Sequence, residues 1–193
     1  MGTPLVHAVP RLALYVLVLW FAASASSHAR ADHTSNQMPG YDISWPQCGK
    51  SYPSPPIAFA IIGFNNGRPY TANPCFVDEY NWARKFEPNP AVYINTDFPK
   101  PGRVEGDTGP YGTCEPTDDW CRAYNYGYGI GRDVTTRAAS LGVAPKMWWL
   151  DVETGNYWLP SEYSYYNAQV VKGAIEFFTE HQLPVGIYGT PRQ

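Results

Sequence analysis

Charge is scarce in this chain. Lys, Arg, Asp and Glu make up 16% of its 193 residues, and the formal net charge is −3. A mildly acidic chain without a basic run lacks the electrostatic footprint of a nucleic-acid partner. Histidine is also sparse, at four residues. His33 lies in a polar stretch and His181 near a predicted helix end, neither with a nucleophile close in sequence. Ser44 lacks a G-x-S-x-G elbow, so a Ser-His-Asp hydrolase is not indicated. No G-x-G-x-x-G or P-loop follows a predicted strand, so no cofactor is expected. The cysteines lack C-x2–4-C spacing, so no metal is expected either. Beyond residue 31 no apolar run is long enough to span a bilayer, and no membrane association is expected after that point.

The first 31 residues have the layout of a secretory signal. Arg11 supplies the positive flank, residues 12–23 the apolar stretch, and Ala29-Arg30-Ala31 a small-x-small cleavage site, with Ala23-Ser24-Ala25 as a second one. Cleavage after Ala31 would leave 162 residues, enough for one domain, and would move the net charge to −5 because Arg11 and Arg30 leave with the segment. Residues 32–39 are polar and read as a flexible leader. Export to an oxidising compartment makes disulfides the expected state of Cys48, Cys75, Cys114 and Cys121. Of the three possible connectivities, Cys48–Cys75 with Cys114–Cys121 closes the smallest loops. Nineteen prolines and 15 tyrosines fit a secreted protein with long ordered loops.

Five short apolar runs have strand character: residues 41–45, 57–64, 91–95, 147–152 and 184–188. The second is apolar throughout, as a strand covered on both faces should be. Between them lie helical candidates at 76–85, 122–141 and 165–181. The middle one carries Gly127, Gly129 and Gly131, which predicts a weak first half. In the last, Ala168, Val171, Ile175 and Phe178 recur at intervals of three and four and predict one apolar stripe. Alternating strands and helices predict a parallel sheet. Residues 96–120 have no periodicity, and a Cys114–Cys121 bridge would make them an ordered lid over the strand ends.

The chemistry gathers where these runs end. Asp151 and Glu153 close the fourth run and, two apart on a strand, would face the same side at a spacing of ~7 Å. Burying a carboxylate without a partner costs several kcal/mol, so such a pair needs a reason. Two carboxylates in different environments can hold different protonation states at one pH, which is the requirement of acid/base catalysis. The plainer alternative is an Asp that caps the following loop with Glu153 bound to an Arg. The first run carries Asp42 and Ser44 on one face, the second runs into Asn65, the third into Asn95 and Asp97, and the fifth ends at Tyr188. Parallel strands would bring all these ends to one rim, where barrels build active sites and open sheets bind ligands. Trp45, Trp158, Tyr157 and Tyr70 flank that rim in sequence, and aromatic faces there would suit the C–H faces of sugar rings. Trp149 shares the parity of Asp151 and Glu153, whereas Trp148 should pack toward the helices.

Several elements also carry a family likeness. GYDIS at 40–44 resembles the opening strand of the glycoside hydrolase family 25 lysozymes, FAIIG at 59–63 their second strand, WLDVE at 149–153 their D-x-E strand, and GIY at 186–188 their fifth. The stretches GYDISWPQC, FAIIGFNNGRPYT and WWLDVETGNYW look closer to a secreted bacterial glycoside hydrolase-like branch. The resemblance spans residues 40–193 and implies an α/β, TIM-type β/α barrel, here incomplete, with about five of eight strands. It implies action on the peptidoglycan of the bacterial cell wall as partner, cleaving a β-1,4 glycosidic bond. Glu153 would be the general acid, Asp151 would orient the substrate's 2-acetamido group, and Asp42 would complete the acidic rim, with Glu153 held at a raised pKa by its acidic neighbours. The substrate-binding set would comprise Trp45, Asn65, Asn95, Asp97, Trp149, Trp158 and Tyr188. Asn65-Asn66 stands where the lysozymes usually have an acidic or threonine-rich end. The alternatives are a non-catalytic cell-wall glycan-binding domain, or a structural domain whose acids cap loops.

Overall fold

The computed structural model describes residues 38–189. The expected signal segment, most of the expected leader and the last four residues lie outside the described residues. Five parallel strands form one sheet in the order β1 (Gly40–Ile43), β2 (Phe59–Gly63), β3 (Ala91–Asn95), β6 (Trp148–Val152) and β7 (Val185–Gly189). Two further short strands, β4 (Thr108–Gly109) and β5 (Gly112–Thr113), form an antiparallel hairpin that the sequence pattern did not disclose. Three helices return the chain between strands: α1 (Phe76–Ala83), α2 (Asp119–Ser140) and α3 (Ser164–Glu180).

Strand parity explains where the core sits. Ile43, Ala60, Ile62, Phe64, Val92, Ile94, Trp148 and Leu150 alternate along their strands and pack with residues of α1, α2 and α3 into one cluster. All three helices therefore cover the same face. Sequential strand order with helices on one side is how an arc of a β/α barrel is built, whereas a doubly wound sheet needs helices on both faces. Among the described residues the sheet has two edges, β1 and β7, which do not pair with each other. The observed architecture is a mixed α/β fold with an open, parallel five-stranded sheet, and barrel closure is not observed.

Two helices depart from their sequence readings. The glycines of α2 do not weaken its first half; the helix is continuous and uses them for contact. A Cβ at Gly127 would collide with the Val170 carbonyl, and one at Gly131 would lie 2.5 Å from the Phe177 ring. Gly173 of α3 likewise leaves room for the Tyr124 carbonyl, so the two helices meet backbone to backbone. The stripe expected on α3 is split. Val170, Ala174, Phe177 and Phe178 face the core. Ala168, Val171 and Ile175 instead line a groove of about 1240 Å³ beside the free edge of β7. Both disulfides, Cys48–Cys75 and Cys114–Cys121, are formed. No helix among the described residues is long and apolar enough to cross a membrane.

Candidate functional site

The helix-free face of the sheet carries two rungs of side chains set by strand register. One rung runs Gly63, Tyr93, Trp149, Gly186 across β2, β3, β6 and β7. Its two large rings are flanked by two glycines, and neither glycine tolerates a side chain. A Cβ at Gly63 would meet Ser44 and come within 2.8 Å of the Tyr93 hydroxyl, and one at Gly186 would lie 2.6 Å from the Trp149 ring. The next rung, one pleat nearer the strand ends, runs Asn95, Asp151, Tyr188. Asp42 stands on the same face of β1, paired in register with Ile61.

Asp151 is the centre of this arrangement. It is 4% exposed. Its Oδ2 accepts a hydrogen bond from Asn95 Nδ2, and its backbone carbonyl accepts from Thr96 Oγ1 at 2.7 Å and from Asn156 Nδ2 at 3.2 Å. Its Oδ1 is buried without a hydrogen-bond partner. Tyr188 lies near enough to favour the charged form, yet makes no bond of regular geometry to it. Burial, then the charges of Glu153 and Asp42, push the carboxyl of Asp151 up to about 7. Asp42 is pushed up to about 6 by desolvation and by Glu153. By surface area Asp42 is an exposed residue, so solvent screens much of that effect and the case rests on Asp151. These mutual influences place Asp42, Asp151 and Glu153 within electrostatic reach of one another. Within this row the carboxyls pushed upward include Asp151 and Asp42. Glu153 itself is exposed at the mouth of the row, and no Arg or Lys pairs with any of the three among the described residues. Nor do the described residues bring three His, Cys, Asp or Glu groups together as a metal site would require.

The remaining sequence candidates separate by location. Asn95 and Tyr188 flank Asp151, and Trp149 lies one rung below. Asn65 is fully buried; it donates to Asn95 O and accepts from Asn95 N, both at 3.0 Å, clamping the end of β2 to that of β3. Trp45 stands 45% exposed on the short helical turn Trp45–Gln47 after β1. Asp97 turns away from the acids: its Oδ1 accepts from Tyr126 of α2 at 2.8 Å, and its charged neighbours are Arg103, Lys100 and Arg68. Trp158 donates from its indole to Glu153 O at 3.0 Å, while its ring lines the groove beside α3. The expected lid, residues 96–120, is ordered but pinned against α2. Arg122 reaches Asp107 at 2.9 Å and Arg103 O at 2.7 Å, and Asn125 bonds to Tyr111 N and Gly112 O, each at 3.1 Å.

Three residues at the site were not singled out from sequence. Tyr93 is 9% exposed, and its hydroxyl feels Asp42, Ser44 and Asp151, so it bridges the two ends of the acid row. It sits two residues before Asn95 on β3, and strand parity alone would have found it. Thr96 and Asn156 hold the Asp151 carbonyl from loops, for which no periodicity exists.

No family model and no curated protein sequence matches this chain. Among solved structures, the fold is similar to that of the modular autolysin LytC from Streptococcus pneumoniae, with a TM-score of 0.52 and 9% sequence identity. That match covers 78% of this chain and 32% of LytC, so the chain spans about a third of the autolysin's length. At this identity the likeness concerns the fold.

Proposed function

We propose that this chain is a secreted glycoside hydrolase-like domain of lysozyme type, acting on β-1,4 bonds of the bacterial cell-wall glycan. The observation that carries the reading is the acid row: three mutually interacting carboxylates at one set of strand ends, one of them buried and titrating near neutrality. The fold shared with an autolysin and the two disulfides support a cell-wall, extracellular setting.

Glu153, exposed at the mouth, gives its proton to the glycosidic oxygen as the bond to the anomeric carbon breaks. The substrate's acetamido oxygen closes on that carbon from the opposite face. Water then attacks, and Glu153 takes a proton back. Asp151 in its charged form accepts the acetamido N–H and offsets the positive charge that develops there. Asn95, Thr96 and Asn156 hold Asp151 in place for this task. Purified peptidoglycan incubated with the full chain should yield new reducing ends, identified by mass spectrometry as N-acetylmuramic acid termini. Absence of new ends, with glycan binding retained, would favour the second reading, a non-catalytic glycan-binding domain. The exposed position of Glu153 is the observation that favours that second reading.

A further inference from the structure

Exposed aromatic side chains are distributed unevenly over the described residues. Trp45, Tyr111, Trp120, Tyr157, Tyr163 and Tyr165 are each between 39% and 51% exposed. Every one belongs to a strand-to-helix connection or to the first turn of a helix, on the same rim as the acid row. Among the large apolar side chains exposed elsewhere, Leu141 at the opposite end of α2 is aliphatic, and Phe59 opens β2.

Two of the rim aromatics form a built platform. Tyr111 stacks on Trp120 at 5.2 Å with an angle of 6° between the planes, and on the buried Tyr124 at 4.0 Å and 19°. The hairpin that presents Tyr111 is held from behind by Asn125 of α2, which accepts from Tyr111 N and donates to Gly112 O. The Cys114–Cys121 bridge and the Asp118 cap, which accepts from Cys121 N at 3.0 Å, hold the turn that presents Trp120. Rings left two-fifths exposed bury too little to account for this scaffolding by stability alone. Glu115 and Asp119, close to Trp120 in sequence, are exposed and offer carboxylate acceptors.

We propose that the Tyr111–Trp120 platform is a second glycan subsite, holding an uncleaved stretch of the polysaccharide strand whose scissile bond lies at the acid row. This rests on the glycan reading above. Flat apolar faces match the C–H faces of pyranose rings, and the neighbouring carboxylates match their hydroxyls. The net charge of −3 and the absence of Lys or Arg between residues 104 and 121 disfavour a polyanion. Continuity of the rim with the acid row favours a strand that runs from one to the other.

The test is sedimentation of the full chain with purified peptidoglycan sacculi. Trp120→Leu and Tyr111→Ala should each weaken binding about tenfold, whereas Trp120→Phe should retain it, because the aromatic face and not apolar bulk is required. Leu141→Ala, which removes an exposed aliphatic side chain at the far end of α2, should leave binding unchanged. Thermal melting of each variant confirms an intact fold. Binding by Trp120→Leu within twofold of the parent overturns the platform. That result would leave the hydrolase reading standing, because the latter is tested separately by loss of product release in Glu153→Gln. A Trp120→Phe defect equal to that of Trp120→Leu would also overturn the platform.

Discussion

Asp151 combines burial, an unpartnered oxygen and two acidic neighbours, and that combination has a consequence for stability. Its carboxyl is raised to about 7 in the folded chain, against roughly 4 for an unperturbed aspartate. The folded state therefore holds a proton that the unfolded state has released across that window. The stability attributable to this group is complete below about pH 4, declines as pH rises, and is lost above about pH 7. Asp151→Asn should remove the decline. Urea denaturation at pH 5 and pH 8 should show the variant about 1–3 kcal/mol more stable than the parent at pH 8 and little changed at pH 5. Equal effects at both pH values would contradict the assignment. In catalysis the sign reverses at this group: the charged Asp151 that the reaction uses becomes available only as pH rises toward about 7, and Asp151→Asn should remove that contribution from the pH profile of kcat/KM. A different constraint acts at Gly186, where the Trp149 ring occupies the space a side chain would need. Gly186→Ala should displace that ring, cost about 1–3 kcal/mol and shift the tryptophan fluorescence.

Elements differ in how much of them could be read in advance. The five strands were legible because a strand covered by helices is apolar along its length and ends where polar loops begin; β3 has the bounds expected. Helix α2 was misjudged in strength because its glycines serve a partner helix that no local pattern reveals. Gly127→Ala should therefore destabilise by about 3 kcal/mol, seen as a lower denaturation midpoint, even though alanine is the better helix former. The β4–β5 hairpin was illegible for a related reason: its strands are two residues long and depend on Asn125, Arg122 and the Cys114–Cys121 bridge. Opening that bridge with Cys114→Ser and Cys121→Ser should cost about 2–3 kcal/mol and loosen the hairpin, visible as faster amide exchange over residues 107–125.

At the scale of the whole molecule, the fold organises the site by parity. Alternate strand residues pack under three helices, and those between them form the rungs Gly63–Tyr93–Trp149–Gly186 and Asn95–Asp151–Tyr188. Candidates taken from within strands could be assigned a face from sequence, and Asp151, Asn95 and Tyr188 meet on one. Loop candidates could not: Asp97 turns to Tyr126, Trp158 turns to the α3 groove, and Asn65 is sealed as a clamp. The central claim is that the acid row cleaves glycan. Its most direct measurement is the rate at which soluble reducing ends appear from peptidoglycan with the parent chain, Glu153→Gln and Asp151→Asn. The account predicts losses of about a hundredfold or more for Glu153→Gln and of similar order for Asp151→Asn. Rates for both variants within twofold of the parent would contradict it.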